Sequence, residues 1–413
     1  MPRLPTCDVR KLFPDLDFGN SALRIPETVR PREFRLLIED KDPLNSLRPT
    51  EPETYGVRYQ GSKSRILREI ESIIAGLGIR SAVDVFSGTT RVAQYLRRLG
   101  ITVTTSDLSC ATTAYAHTFV HNPDNRHLLP FVEEMNRLHP LDGGWISRNY
   151  TGEAKQHAMA GKGRCFQLEN ACHADAVLAF IAEQPSLALW EKCTLLTSAI
   201  MALDRVDNTI GIQQSYLKQY CNRSFNKIIF NLPPCILGPT ATHTEGDALR
   251  MRYGYHDLAY CDPPYSSHSY ANYYHIYDSI VRGDKPETAL TSRRRVDRVA
   301  RNPAFDTHMR SRWNNRREVL AAFEALLDHL RTTYILVSYS DEGLVEISQL
   351  LCLCSRYGKI INHLSIPCER HRMSQIGNAA IGGTQPEKGH TYYEHLILIE
   401  TLPSATMFAR RHM

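Results

Sequence analysis

The segment Asp262-Pro263-Pro264-Tyr265 limits what this chain can fold into more than any other feature of the sequence. It follows the apolar run 258–261, which predicts a buried strand, and a carboxylate at a strand's C-terminal end lies where open α/β sheets place their chemistry. Two prolines fix φ and remove two backbone donors, so the chain leaves the strand as a stiff loop with free carbonyl groups. A carboxylate, free carbonyls and an aromatic face suit a planar amine such as a nucleobase. The alternative is a strand that ends in a proline turn with an exposed tyrosine.

Composition limits the class of protein. The chain has 413 residues and is 42% hydrophobic, which is enough for one large core or two domains. Its formal net charge of +5 permits a polyanionic partner without requiring one. The cysteines form no Cys-x-x-Cys pair, and Cys165, Cys172 and His173 have no second ligand pair, so structural zinc is not expected. An odd number of cysteines, no signal peptide and no apolar stretch of about 18–20 residues together predict a cytoplasmic protein without a membrane span.

A strand, a glycine turn and a helix predict the first unit of a nucleotide-binding sheet. Alternating apolar residues over 81–88 end in a Ser87-Gly88 turn, and apolar residues recur at helical spacing over 89–99. A β-branched strand then ends at Asp107, about twenty residues beyond the turn, where an acid can bind ribose hydroxyls. The turn lacks the full G-x-G-x-x-G pattern, which disfavours a dinucleotide and suits a cofactor without a pyrophosphate. A structural strand–helix turn is the alternative.

Upstream of this unit, Tyr59-x-Gly61-Ser62-Lys63 leads into a helix predicted over 64–75. The free amides at the start of a helix favour a carboxylate ligand. A lysine at this position is therefore a candidate ligand contact, and an ordinary solvated lysine is the alternative.

Four motifs in this order resemble the alpha-type N6-adenine DNA methyltransferases of bacteria and phages, of which the Dam enzymes are the best-known members. The matching segments are Tyr59-x-Gly-Ser-Lys63, Asp84-x-Phe-x-Gly88, Asp107 and Asp262-Pro-Pro-Tyr265. They cover nearly all of the chain beyond its N-terminal tail. The sequence departs from the family at Phe86-Ser-Gly-Thr-Thr90, where many members have Phe-x-Gly-x-Gly.

The resemblance implies an α/β fold with a Rossmann-like mixed methyltransferase sheet and a largely helical target-recognition insertion. It implies S-adenosylmethionine as the cofactor, with contacts from Tyr59, Gly61, Ser62, Lys63, Asp84, Phe86, Ser87, Gly88 and Asp107. Asp247 lies in a segment similar to the one in which methyltransferases place an acid against the cofactor's adenine, and the alternative is a loop acid that caps a short helix. The implied parts are an N-terminal extension of unknown role (1–50), a catalytic domain (51–109 and 241–413) and the insertion (110–240).

The reaction implied by the resemblance is methyl transfer to the N6 amine of an adenine in double-stranded DNA, with no metal required. Asp262 and the carbonyl of Pro263 would accept hydrogen bonds from the amine, Pro264 would stiffen the loop, and Tyr265 would stack on the flipped base. A cognate restriction endonuclease encoded elsewhere is compatible with this assignment. The alternatives are methylation of cytosine N4 or of RNA adenine, and a catalytically silent DNA-binding relative.

The insertion contains one candidate segment for DNA contact. Gln213, Gln214 and Lys218 lie on a predicted loop, where glutamine can bind base edges and lysine can bind a phosphate. An ordinary polar surface loop is the alternative.

A second candidate for DNA contact is the arginine-rich segment 282–317, which follows the catalytic motif. Its densest part contains Arg293, Arg294 and Arg295. Because the guanidinium group suits phosphate geometry, we expect these residues to bind the DNA backbone, and a solvated charged face is the alternative.

Overall fold

The computed structural model describes residues 54–121, 124–152, 164–213, 216–217, 219–267, 270–286, 311–369 and 391–402. Five predicted DNA contacts and the N-terminal extension lie outside the described residues. These are Gln214, Lys218, Arg293, Arg294, Arg295 and residues 1–50.

Seven strands form one sheet. They are β1 (Ser81–Asp84), β2 (Thr102–Asp107), β3 (Thr242–Glu245), β4 (Tyr255–Cys261), β5 (Arg331–Ser340), β6 (Gly358–Glu369) and β7 (Thr391–Thr401). Their order across the sheet is β3-β2-β1-β4-β5-β7-β6. The pairings from β3 to β5 are parallel, and β7 is antiparallel to both of its neighbours. This arrangement confirms the predicted Rossmann-like mixed sheet.

Helices, five of which lie between β2 and β3 in the described residues, cover the sheet. They are α1 (Leu67–Ile74), α2 (Arg91–Arg98), α3 (Cys110–Tyr115), α4 (Leu129–Arg137), α5 (Trp145–Tyr150), α6 (Leu168–Ala182), α7 (Leu189–Val206), α8 (Tyr270–Tyr273), α9 (His275–Arg282), α10 (Val319–His329) and α11 (Ile347–Ser355). A π-helical turn, Ala116–His121, continues α3. Among the described helices, none is both long and apolar enough to cross a membrane.

The central strands are apolar on both sides because both faces of the sheet are covered. On one face, Val103 of β2 and Leu258 of β4 belong to a core that also contains Phe166 and Leu203 from the chain between β2 and β3. On the other face, Ala259 packs in a second core formed largely by residues of β5, α10 and α11. The helices between β2 and β3 therefore share a hydrophobic core with the sheet.

The order of the strands places a crevice at one edge of the sheet. The chain proceeds from β1 toward β2 and β3 on one side, whereas it proceeds from β4 toward β5 on the other. Asp84 ends β1 in register with Tyr260 of β4, and Asp262 directly follows β4. Because ligands of open α/β sheets bind where the strand order diverges, a site is expected beyond the carboxyl ends of β1 and β4.

Candidate active site

One pocket lies at the carboxyl ends of β1, β2 and β4. All fourteen residues that the sequence suggested as catalytic or cofactor-binding line it, namely Tyr59, Gly61, Ser62, Lys63, Asp84, Phe86, Ser87, Gly88, Asp107, Asp247, Asp262, Pro263, Pro264 and Tyr265. The parallel strands bring these residues together because they end at the same edge of the sheet.

The centre of the pocket contains a buried ion-pair cluster. The Lys63 ammonium lies 2.8 Å from Oδ1 of Asp262 and 3.3 Å from Oε1 of Glu394, a residue of β7. The same ammonium donates to the carbonyl of Gly61 at 3.1 Å. The ammonium is therefore in contact with two carboxylates and one backbone carbonyl. The side chains of Lys63, Asp262 and Glu394 are only 6%, 13% and 5% exposed, so solvent screens this cluster weakly.

Burial sets the protonation of this cluster. Burial raises the pKa of Asp262 to about 7; the Lys63 ammonium opposes this rise and the Glu394 carboxylate adds to it. Burial by itself would lower the pKa of Lys63, but attraction to Asp262 and Glu394 raises that pKa well above its usual value. Lys63 is therefore a cation at neutral pH, and Asp262 holds a proton more readily than an exposed aspartate does.

The glycine turn after β1 is held by the acid that ends β2. Gly88 has a φ of +49°, and a Cβ at this position would lie 3.1 Å from the Tyr59 ring. Its amide donates to Oδ2 of Asp107 at 2.8 Å, while the amide of Ser109 donates to Oδ1 at 2.9 Å. Burial raises the pKa of Asp107 to about 6, against the effect of these two amides. Each carboxylate oxygen keeps a lone pair for a further donor.

Thr90 explains how the turn departs from the family pattern. It occupies the position of the second glycine in Phe-x-Gly-x-Gly, and its φ of 60° and ψ of 18° lie in the left-handed region. A β-branched residue rarely adopts this conformation. Here the amide of Thr90 donates to the carbonyl of Ser87 at 2.6 Å, and Nε2 of Gln94 donates to Oγ1 of Thr90 at 3.0 Å. The threonine thus adopts the backbone conformation that glycine would favour.

The loop that begins at Tyr59 is clamped by tyrosines that follow the catalytic segment. The Tyr59 ring stacks on that of Tyr274, with centroids 4.3 Å apart. The amide of Gln60 donates to the hydroxyl of Tyr274 at 2.7 Å, and the hydroxyl of Tyr270 donates to the carbonyl of Gln60 at 3.1 Å. Gly61 is required beside them, because its φ is +79° and a Cβ there would lie 3.0 Å from the Tyr270 hydroxyl.

A row of edge-to-face aromatic rings includes Phe86, Trp313 and Tyr265 of the pocket lining. Phe86 contacts Trp313, Trp313 contacts Phe323, Phe323 contacts Tyr339, and Tyr339 contacts Tyr265, with centroids 5.0, 5.0, 5.4 and 6.4 Å apart. Rings in this arrangement fix one another's orientation. The predicted cofactor wall at Phe86 is thereby connected to the predicted catalytic tyrosine through packed side chains.

Sequence reasoning missed several residues of the pocket and its support. They are Glu394, Tyr270, Tyr274, Trp313 and Asn314. The two tyrosines stand in the aromatic-rich stretch after Tyr265, which is a usable indication. Glu394 is a buried acid directly before the apolar run of β7, and such an acid requires a cationic partner. Neither pattern identifies the partner, because the contact joins distant parts of the chain.

Asp247 lies at the rim of the pocket. Its side chain is 42% exposed, its Oδ1 accepts from the amide of Leu249 at 3.0 Å, and it lies 3.9 Å from Arg250. Both the cofactor contact and the local cap expected from the sequence are compatible with this position. Its role as a cofactor contact stays a prediction.

Gln213 occupies a position that sequence reasoning did not anticipate. Its side chain is buried, and its Oε1 accepts from the amide of Ile276 at 2.8 Å. Its own backbone amide donates to the carbonyl of Tyr273 at 2.6 Å. The buried side chain is not presented to base edges, and it connects the loop after α7 to the junction of α8 and α9.

Arg58 makes a second connection between this loop and the pocket. Its guanidinium lies 3.2 Å from Oδ1 of Asp204 in α7 and 2.6 Å from Oδ1 of Asp207, which follows α7. Arg223 also pairs with Asp207, at 2.7 Å. Because Arg58 directly precedes Tyr59, these ion pairs fix the loop that begins at Tyr59 against the C-terminal end of α7.

Similarity to other proteins agrees with this geometry. The sequence profile of a family described as "D12 class N6 adenine-specific DNA methyltransferase" matches residues 59–309. Modification methylase LlaI of Lactococcus lactis subsp. lactis is 25% identical over 79% of this chain and 53% of its own length. Modification methylase StsI of Streptococcus sanguinis is 23% identical over 84% of this chain and 52% of its own length. Type II methyltransferase M.NlaIII of Neisseria lactamica is 26% identical over 73% of this chain and 89% of its own length.

The chain spans about half the length of the LlaI and StsI methylases, at 53% and 52%, and most of the length of M.NlaIII. The family profile covers more than half of the chain and includes every catalytic and cofactor-binding residue that the sequence suggested. The chain therefore belongs to the D12 class of N6 adenine-specific DNA methyltransferases.

Proposed function

We propose that this protein transfers a methyl group from S-adenosylmethionine to N6 of an adenine in double-stranded DNA, as the modification enzyme of a restriction–modification system. One observation carries the proposal. The segment Asp262–Tyr265 lines the same pocket as Gly88 and Asp107, so a target amine and a nucleoside cofactor could meet there. The similar proteins LlaI and StsI are modification methylases and M.NlaIII is a type II methyltransferase, which supports methyl transfer in a restriction–modification system.

The chemistry of the pocket fits this cofactor. Asp84, Asp107 and Asp262 surround it with carboxyl groups, which favour a ligand that carries positive charge. Burial and the neighbouring Asp262 and Asp107 raise the pKa of Asp84 well above its usual value, as expected for closely spaced acids. When bound, S-adenosylmethionine supplies a methyl group on a cationic sulfonium. The remaining lone pairs of Asp107 would accept the ribose hydroxyls.

Asp262 would activate the target amine. The N6 lone pair of adenine is delocalised into the ring, so this nitrogen is a poor nucleophile. Hydrogen bonds from the amine to the Asp262 carboxylate and the Pro263 carbonyl would make the nitrogen more tetrahedral and localise the lone pair. These bonds strengthen as positive charge develops on the nitrogen, so they stabilise the transition state more than the bound substrate.

The target base must leave the duplex to reach this pocket, at a cost of a few kcal/mol. Tyr265 can recover part of that cost by stacking. Its orientation is set by Tyr339 at its edge and by the Lys63 ammonium, which lies 5.5 Å from the centre of its ring. A base stacked on a fixed ring presents its amine in one geometry, which favours reaction.

We assign DNA recognition to the insertion and to the arginine-rich segment. We assign residues 110–240 as the target-recognition insertion, with Gln214 and Lys218 as candidate contacts, and residues 51–109 and 241–413 as the catalytic domain. The arginines Arg293, Arg294 and Arg295 would bind phosphates. A type II modification methylase acts beside a restriction endonuclease, and a cognate nuclease is the partner that this proposal implies.

A nucleoside analysis tests the proposal. The protein is incubated with S-adenosylmethionine and unmethylated genomic DNA, the DNA is digested, and the nucleosides are separated by mass spectrometry. We expect N6-methyladenine as the product, and none after the Asp262→Ala substitution. Sequencing that detects methylation would then define the recognition sequence.

The alternatives predict different products in the same assay. N4-methylcytosine in the digested DNA would make cytosine the substrate. A parallel incubation with RNA of matched sequence that alone yields methyladenine would make RNA the substrate. A protein that binds S-adenosylmethionine and DNA but yields no methylated nucleoside from DNA of varied sequence would be a silent relative, and the proposed activity would be wrong.

A further inference from the structure

The ion-pair cluster contains one acid that the proposed reaction does not use. Glu394 is not among the residues that line the pocket in the described part of the chain. Its Oε1 nevertheless lies 3.3 Å from the Lys63 ammonium, whose other carboxylate partner is Asp262. Lys63 therefore lies in contact with both Glu394 and the catalytic carboxylate.

Glu394 is fixed by the sheet itself. It is in register with Ser340 of β5 and Ile366 of β6, so it lies on a strand that is paired on both sides. Oγ of Ser338, a fully buried residue, donates to Oε1 of Glu394 at 2.6 Å. An acid held this firmly, and only 5% exposed, sets the position of the ammonium that it binds.

The charges of the cluster determine how well Asp262 can act. A lysine paired with Asp262 alone would neutralise it and weaken it as an acceptor. When Asp262 is ionised, the two acids that share one ammonium leave a net negative charge beside the position where the target amine becomes positive. In a buried site that charge is screened little, so its effect on the transition state is large.

We propose that Glu394 is a positioning residue for methyl transfer: it shares the Lys63 ammonium with Asp262, and thereby orients Asp262 and leaves a net negative charge on the cluster beside the target amine. This inference rests on the proposed function, because it assumes that Asp262 accepts a hydrogen bond from that amine.

The titration of Asp262 gives a test that is independent of turnover. Besides Lys63 and Glu394, the titratable groups that face Asp262 are Asp84, Tyr260, Cys261, Tyr265 and Tyr270. The Glu394→Gln substitution keeps the shape of the side chain and an acceptor for Ser338 but removes its charge. Loss of a nearby negative charge makes Asp262 easier to ionise, so its pKa must fall.

The experiment measures this titration by NMR on protein labelled at the aspartate carboxyl carbon, with the Asp262 resonance assigned by its loss in Asp262→Ala. We expect the midpoint in Glu394→Gln to be lower than in the wild type by about half a pH unit or more. Single-turnover methylation at a pH where Asp262 is ionised in both proteins should fall about tenfold or more, with S-adenosylmethionine affinity within about threefold of the wild type.

The matched control is Glu400→Gln, which removes an exposed acid near the other end of β7 and should change neither quantity. An unchanged Asp262 midpoint in folded Glu394→Gln, or a methylation rate within about twofold of the wild type, would overturn the proposal. If Glu394→Gln does not fold, Ser338→Ala removes the hydrogen bond that holds Glu394. We then expect a several-fold loss of rate, and full retention would overturn the proposal.

This design separates the inference from the proposed function. A wild-type protein that yields no methylated nucleoside contradicts the proposed reaction, whatever the titration shows. If the wild-type protein methylates adenine, but the Asp262 titration midpoint is the same in the wild type and in Glu394→Gln, only the role given to Glu394 is contradicted.

Discussion

The carboxylate of Asp107 accepts the amide of Gly88 at 2.8 Å, so the acid that ends β2 holds the turn that follows β1. Its second oxygen accepts the amide of Ser109 at 2.9 Å. The same side chain thus fixes the backbone of the pocket and presents lone pairs to a ligand. A substitution of Asp107 is therefore expected to change both the backbone conformation of the pocket and its affinity for a ligand.

Asp107→Ala is expected to weaken S-adenosylmethionine binding at least about tenfold, equivalent to about 1.4 kcal/mol. The substitution removes the acceptor proposed for the ribose and leaves the amides of Gly88 and Ser109 without their partner. Calorimetric titration measures the change. The control is Glu245→Ala, since Glu245 ends the neighbouring strand β3 in register with Asp107 but does not line the pocket. Equal affinity in wild type and Asp107→Ala would place the cofactor elsewhere.

Gly88→Ala should reduce both stability and cofactor affinity. Its positive φ costs an L residue about 1 kcal/mol, and the new Cβ would press on Tyr59, whose ring is stacked on Tyr274 and cannot retreat freely. The control is Gly78→Ala, because Gly78 has a φ of +67° and no atom lies within 4 Å of the position that a Cβ would take there. Both variants should lose stability in denaturant unfolding, Gly88→Ala more than Gly78→Ala, and only Gly88→Ala should bind cofactor several-fold more weakly. A matching loss of affinity in Gly78→Ala would remove the Tyr59 contact as the cause.

Asp262→Ala should lower the single-turnover methylation rate by at least about a hundredfold, or about 2.7 kcal/mol, since it removes an acceptor that acts in the transition state. Cofactor affinity should change little. The control is Asp257→Ala in the same strand, because Asp257 accepts from the amides of Arg80 and Ser81 at the opposite end of β4. Asp257→Ala should cost stability and retain the rate in the folded protein. More than a tenth of the wild-type rate in Asp262→Ala would contradict the mechanism.

Replacing Arg293, Arg294 and Arg295 with glutamine should weaken binding to all DNA sequences alike and reduce the slope of log affinity against log salt, because phosphate contacts release counterions without reading sequence. Binding is measured by fluorescence anisotropy across a salt series. The control removes three exposed cations at the opposite, amino-terminal edge of the sheet, Arg80, Arg331 and Lys359. A salt slope that falls equally in both triple variants would reflect net charge alone.

Gln213→Ala is expected to destabilise the fold by about 1–3 kcal/mol, since it leaves the buried amide of Ile276 without its acceptor. The methylated sequence should stay the same. Chemical denaturation and methylation-sensitive sequencing measure the two effects. The control is Gln219→Ala, an exposed glutamine of the same segment, which should leave stability unchanged. An altered recognition sequence in Gln213→Ala would return this residue to the role first inferred from the sequence, which Gln214 and Lys218 otherwise retain.

The sequence predicted the elements whose pattern is local. β2 spans Thr102–Asp107 and ends at Asp107 as predicted, and β7, which spans Thr391–Thr401, contains the apolar run 396–399. Both carry β-branched or apolar residues in an unbroken run. In contrast, apolar and polar residues do not alternate regularly along β6, and this strand contains Pro367. Its strand conformation therefore depends on pairing with β7. Such pairing is a property of the assembled sheet and cannot be read from one segment.

The same distinction holds in the site. The motif residues could be placed because a carboxylate or glycine at the end of a strand has a known use in parallel sheets. Glu394 and Gln213 could not be placed, since each depends on a contact between distant segments. Gln213 shows how composition misleads, because a glutamine beside a turn suits base recognition until its burial is known.

The pairing of β1 with β4 determines when the site can form. β1 lies between β2 and β4, and its Val83 is in register with Ala259 of β4. The whole helical insertion is synthesised before β4. Until then β1 presents an open edge on the growing chain, and pairing across so long a sequence separation is slow. The insertion helices share a core with one face of the sheet and can shield that face meanwhile. The pocket therefore forms only after β4 has paired with β1, so a chain that ends before β4 lacks the site.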